Sequence, residues 1–163
     1  MITIGIDPGL DGALTFLVGD KIDLSIKVPT YKVTIGKKTK THLDEREITG
    51  IIKNYKNYDT KLTPRIYAYL EKVGAMPNQG VVSMFRFGEA WGIMKGILSG
   101  LHIKYELVRP QEWQKSMLNG RSEYEVCNEL WPDQNWLASP RCRKPHDGML
   151  DSALIAEWGR THG

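Results

Sequence analysis

The stretch ITIGIDPGLDGALTFLVGDKIDLSIKV, residues 2–28, decides the fold. Alternation over residues 2–7 predicts a strand with Ile2, Ile4 and Ile6 on one face and Thr3, Gly5 and Asp7 on the other. Asp11-Gly12 predicts a turn into a second strand, Ala13 to Val18, and Gly19-Asp20 a turn into a third, from about Lys21 to Val28. Strands joined this tightly form an antiparallel meander. Its first strand ends on Asp7, with Pro8 and Gly9 immediately after. A carboxylate at the end of a buried strand is costly unless something there needs its charge.

The 163 residues suit one domain spanning 1–163, with 41% apolar and 25% charged residues as in a globular protein. No apolar run approaches the roughly 18 residues of a membrane span, Met1 leads straight into the first strand, and Cys127 and Cys142 are too few for a disulfide framework. The expectation is a cytoplasmic protein without signal peptide or membrane partner. Net charge is only +3 but unevenly spread: Lys32, Lys37, Lys38 and Lys40 lie in an acid-free stretch, and Arg141, Arg143 and Lys144 form a second cluster. Such clusters neutralise phosphates or simply decorate solvated loops, and charge alone leaves both readings open.

After the meander, Pro29 to Thr41 reads as an exposed loop or ribbon with Gly36 near its tip. Asp44 with Glu47 predicts a capped helix to about Tyr55, and Arg65 to Glu71 a strand. Residues 74–80 exclude regular structure, and a helix follows to about Leu98, closed by Gly100. A strand over 103–108, a short helix around Trp113, a Ser122/Glu125-capped helix to Leu130, a linker over 132–145 and a last helix from Asp147 to about Trp158 complete the chain. Meander, then alternation, then a closing helix make an α/β domain: a mixed sheet with helices on its faces.

Glu71 repeats the design of Asp7, an acid ending a strand, where open α/β sheets commonly site chemistry. Each acid alone is explained as well by a turn cap or a nearby base. Asp147 and Asp151, however, are four apart on one helical face that continues into Leu154, Ile155 and Trp158. Capping accounts for Asp147 but not for Asp151. Like charges along a buried stripe call for a divalent cation, which takes carboxylate oxygens from separate elements. Four acids from three elements suit two Mg²⁺ or Mn²⁺ ions about 4 Å apart, hydrolysing a phosphodiester.

Taken in order, GIDPG (5–9), YLEKVGAMPNQG (69–80), VVSMFRFGEAWGIMKGIL (81–98), VRPQEWQK (108–115) and HDGMLDSALIAEWG (146–159) resemble the RuvC-like Holliday junction resolvases, especially their compact phage-type and plant-organelle branch. The resemblance implies an RNase H-like fold with a mixed five-stranded sheet and helices on both faces. It implies Asp7, Glu71, Asp147 and Asp151 as catalytic metal ligands for two Mg²⁺, with Mn²⁺ as substitute. It also implies a homodimer that nicks four-way junctions symmetrically. Two departures stand out. Bacterial RuvC spaces its last two acids three apart, whereas these are four apart, and it carries an aromatic where this chain has Gly74. Met76 or another residue must substitute for that aromatic.

Beside Glu71, the 74–80 loop with Met76, Asn78, Gln79 and Gly80 can bring backbone amides close to phosphates. Arg86, Lys95, Arg109, Gln111, Lys115, Arg141, Arg143 and Lys144 are further DNA-binding candidates, and Lys144 adjoins the acid-bearing helix. Met84, Phe85, Phe87, Trp91, Met94 and Leu98 read as core and dimer contacts, and Trp113, Trp131, Trp136 and Trp158 as packing. His146 either assists proton transfer or begins the helix. Cys127, Cys142 and His146 lack a fourth ligand and any CxxC pair, so zinc is a poor reading. The expected function is a junction-resolving endonuclease leaving 5′-phosphate and 3′-hydroxyl ends. Its rivals are a promiscuous branched-DNA or RNA-processing nuclease of the same fold and a non-catalytic junction-binding protein. An actin-like ATPase or sugar kinase, which repeats the domain, needs a longer chain.

Overall fold

Three strands, β1 (Ile2–Asp7), β2 (Ala13–Val18) and β3 (Lys21–Lys27), form the expected meander in the computed structural model, which describes residues 1–57, 66–72, 74 and 80–163. β6 (Ile66–Glu71) and β7 (Lys104–Val108) add in parallel beside β1, giving the mixed order β3-β2-β1-β6-β7. The central strand is therefore the one that ends on Asp7. Residues 30–43 are a separate antiparallel ribbon, β4 (Thr30–Ile35) and β5 (Lys38–Leu43), turning at Gly36 with φ +62°.

Five helices cover both faces of the sheet. α1 (Glu45–Lys56) and α2 (Val81–Gly100) pack Ile48, Ile52, Ala90, Met94 and Leu98 against Ile4, Ile6, Leu14 and Phe16. α3 (Pro110–Leu118), α4 (Glu123–Leu130) and α5 (Asp147–His162) close the opposite face around Trp113, Cys127, Tyr69 and Leu154. Asp44 caps α1 by accepting from the Glu47 amide at 2.9 Å. Ser122 and Glu125 cap α4 reciprocally. Gly100 stays inside α2 instead of closing it, and Leu101 caps it before His102 turns left-handed at φ 53°. α5 starts at Asp147 as expected, capped by His146, whose Nδ1 accepts from the Met149 amide, but it continues past Trp158 to His162. No helix among the described residues is long and apolar enough to cross a membrane, and both cysteines are free.

α5 lies almost on the sheet backbone. A Cβ on Gly5 would stand 1.9 Å from the Ser152 carbonyl oxygen and 2.5 Å from the Ala156 amide nitrogen. The buried Thr15 and Ser152 hydroxyls, 2.8 Å apart, tie β2 to α5. Gly5→Ala therefore forces α5 off the sheet and costs about 3 kcal/mol or more. Gly50→Ala, in open space on α1, gains up to about 1 kcal/mol. Urea denaturation of the two variants checks the opposite signs.

Candidate active site

β1 and β6 run parallel with Ile6 opposite Leu70, so Asp7 and Glu71 end neighbouring strands side by side. Both belong to the row that faces α5. Glu71 is held twice: the Trp113 indole N–H donates to its Oε1 at 3.0 Å, and the Trp91 indole N–H to its main-chain carbonyl at 3.2 Å. Trp113 thus orients an acid as well as filling core.

The third element reaches Asp7 because of a glycine. A Cβ on Gly148 would lie 2.7 Å from the Asp11 carbonyl oxygen and 2.9 Å from Asp7 Oδ2. Without one, the first turn of α5 rests on the β1–β2 turn. That turn is itself tight: Gly9 has φ +136°, and the Gly12 amide donates to its carbonyl at 3.2 Å. Asp7, Asp147 and Asp151 then line one groove of about 700 Å³, walled by Pro8 to Gly12 and by Gly80, Ser83, Arg86 and Phe87 at the start of α2.

Electrostatics mark the same acids. Burial, then the charges of Glu71, Asp151 and Asp11, push the Asp7 carboxyl up to about 8. Burial, then Glu71, Glu123 and Asp147, push Asp151 up to about 7. Burial also raises Glu71, but the Trp113 hydrogen bond opposes it.

The donor set is all carboxylate, the chemistry that hard divalent cations take, and the mutual repulsion is what such a cation relieves. The site nevertheless departs from expectation in one respect. Among the described residues no group of three or more His, Cys, Asp or Glu side chains converges closely enough to hold an ion. Four acids gathered into a ready cage are not what the structure presents. Like charges in a partly desolvated site stay apart, and Glu71 sits behind the groove rather than lining it.

Of the DNA-binding candidates, the structure brings Gly80 and Arg86 to the groove, and Lys144 to an adjoining cleft with Asp147 and Glu123. Arg109, Gln111, Lys115, Arg141 and Arg143 are exposed but do not line these cavities. Met76, Asn78 and Gln79 lie outside the described residues. His146 uses Nδ1 as the cap of α5, and its pKa is lowered by burial and by Lys27, so the neutral ring is favoured. Sequence reading missed Glu123, which lines a cleft with Asp147 and Asp151, and the Lys27–Asp11 ion pair at 2.6 Å beside His146 and Asp7. Glu123 reads in sequence only as a helix-start acid.

This fold is that of RuvC, within the RNase H-like class. A Thermus thermophilus RuvC in complex with Holliday junction substrate is similar at TM-score 0.57 and 12% identity, over 96% of this chain and 90% of that one. A second T. thermophilus RuvC structure is similar at TM-score 0.51 and 14% identity, over 99% and 96%. No protein-family model and no curated protein sequence matches the chain.

The raised carboxyls set a pH dependence. In the metal-free protein Asp7 and Asp151 bind protons more tightly folded than unfolded, where the pKa is about 3.9. Their contribution is present near pH 4 and lost as pH rises through about 7 to 8. In EDTA, the Tm is expected to fall by several degrees between pH 5.5 and 8.5, and Asp7→Asn to flatten that fall. Thermal melts followed by circular dichroism check both.

Proposed function

We propose that this chain is a RuvC-like resolvase, an endonuclease that cuts Holliday junctions by divalent-metal-dependent hydrolysis. The observation that carries the reading is a groove on a RuvC fold lined by Asp7 of β1 and Asp151 of α5, with Glu71 of β6 outside its lining but electrostatically coupled to both. The four-residue spacing of Asp147 and Asp151 favours the phage-type and organelle branch.

Asp7, Glu71, Asp147 and Asp151 would hold Mg²⁺, or Mn²⁺ in its place. Bound there, the ions supply an activated water and offset the charge growing on the phosphate. The protein's own groups prepare that chemistry. Trp113 fixes the Glu71 carboxylate, and Gly148 lets Asp7 and the α5 acids share one space. Arg86 on the groove wall attracts the scissile strand. His146, neutral and with Nδ1 accepting from the Met149 amide, would carry its proton on Nε2 and present it beside Asp147 as a hydrogen-bond donor able to orient water. Arg109, Gln111, Lys115, Arg141, Arg143 and Lys144 would extend the phosphate-binding surface, and Met76, Asn78 and Gln79 are DNA-binding candidates from the sequence.

Two linked cuts need two sites, and α2 suits a homodimer. Val81 is 78% exposed and Phe85 73%, beyond what an unpartnered helix gains by showing. Among the described residues, a Cβ built on Gly88, Gly92 or Gly96 would meet nothing within 4 Å, so a second helix can approach closely.

The deciding experiment incubates labelled four-way junction and matched linear duplex with the protein, in Mg²⁺ or EDTA. Paired symmetric nicks in the junction alone are expected, lost in EDTA and reduced at least about a hundredfold in Asp7→Asn. Tight junction binding without cutting in either Mg²⁺ or Mn²⁺ would overturn the enzyme reading. Equal cutting of forks and flaps would make it a general branched-DNA nuclease. Gly148→Ala, which lifts α5 from the Asp7 turn, is expected to slow cleavage more than tenfold while junction affinity in EDTA stays within about threefold.

A further inference from the structure

The acid-free lysine stretch takes no part in the active site, and the structure gives it a shape. It is the β4–β5 ribbon, whose strands pair closely only with one another and stand apart from the main sheet. Its register sets Tyr31, Val33 and Ile35 opposite His42, Lys40 and Lys38, so these six share one face. On that face the Tyr31 and His42 rings stack with centroids 5.6 Å apart, and Ile35 is 76% exposed. A shallow groove of about 200 Å³ runs between Val33, Ile35, Lys38, Lys40 and His42. The other face carries Lys32 with Thr34, Thr39 and Thr41.

No acid lies between Val28 and Leu43, and among the described residues Lys32, Lys37, Lys38 and Lys40 enter no ion pair. Two-stranded ribbons are marginal by themselves, and like charges along one weaken it further. A polyanion laid along the ribbon reverses both effects.

The position of the ribbon says which polyanion. At its base Thr41, His42 and Leu43 share a cleft with Leu10 and Arg86, and those two also line the groove of the acids. A contiguous surface therefore runs from the groove of the acids onto the ribbon, through a cleft that sets Arg86 beside Glu45 and Glu89. At about 3.3 Å per residue, six-residue strands extend roughly 20 Å, the length of about six base pairs.

We infer that the β4–β5 ribbon is a DNA-gripping arm: it lies along the duplex arm leading away from the cut, with Lys37, Lys38 and Lys40 on phosphates and Tyr31 and Ile35 against the sugar edge. A two-stranded ribbon is of the width that a duplex groove admits. The inference rests on the nuclease reading only in taking DNA as the partner.

The test uses the full chain with K32Q/K37Q/K38Q/K40Q and, as a milder second variant, K38Q/K40Q, both checked for native circular dichroism. Binding to four-way junction is measured in EDTA across salt concentrations, with hydroxyl-radical footprinting of the complex. The quadruple variant is expected to bind at least tenfold more weakly at 0.1 M salt, with a log–log salt slope shallower by about two to four. Protections about six base pairs from the cut vanish while those at the cut remain, and cleavage at saturating protein stays within twofold. The double variant shows the same loss, smaller. Wild-type affinity, slope and footprint in both variants would overturn the arm. If the wild type binds junctions without cutting them, the nuclease reading falls while the salt slope still decides the arm. If it binds no DNA, both fall.

Discussion

Everything at this site depends on how close α5 comes to the sheet. A helix normally stands off a strand by the length of its side chains. Here Gly5 and Gly148 remove two of them, and the helix backbone settles onto β1 and onto the β1–β2 turn. The closeness confines acids from β1 and α5 to one partly buried space, with the β6 acid beside them, where their charges are poorly screened. Desolvation is the largest cause of the raised proton affinity of Asp7 and Asp151, neighbouring carboxylates come next, and both trace to the same packing.

Burying unpaired acids works against stability, and the rest of the molecule offsets it. The two apolar layers are extensive, from Ile4, Phe16 and Met94 on one side to Trp113, Leu154 and Ile155 on the other. Hydrogen bonds are spent on orientation: Thr15 with Ser152 sets the rotation of α5, and Trp113 sets Glu71.

Charge is organised at a larger scale too. Asp7, Asp147 and Asp151 line the groove with Arg86, while Lys144 lies in an adjoining cleft and the lysine ribbon lies beyond. In the proposed function, the exposed cations would hold a phosphate backbone while the carboxylates, built on rigid elements, would act on it.

Much of this was legible in the chain itself. Alternation and tight turns located β1, β2 and β3, capping pairs located α1 and α4, and the strand end at Asp7 with the spacing of Asp147 and Asp151 picked out three acids that line the groove, Glu71 lying outside its lining. These signals are local, carried by periods of two and 3.6 residues. Glu123, the hold of Trp113 on Glu71, the Lys27–Asp11 pair and the role of His146 as cap were not legible, because each depends on which elements meet. The lysine stretch is the clearest case. Composition showed its charge, but only pairing Thr30–Ile35 with Lys38–Leu43 and packing their base beside Arg86 turned that charge into a surface continuous with the acids. Sequence determined the chemistry available, and tertiary structure decided which groups share a space, since proximity between residues far apart in the chain exists only once the core has formed.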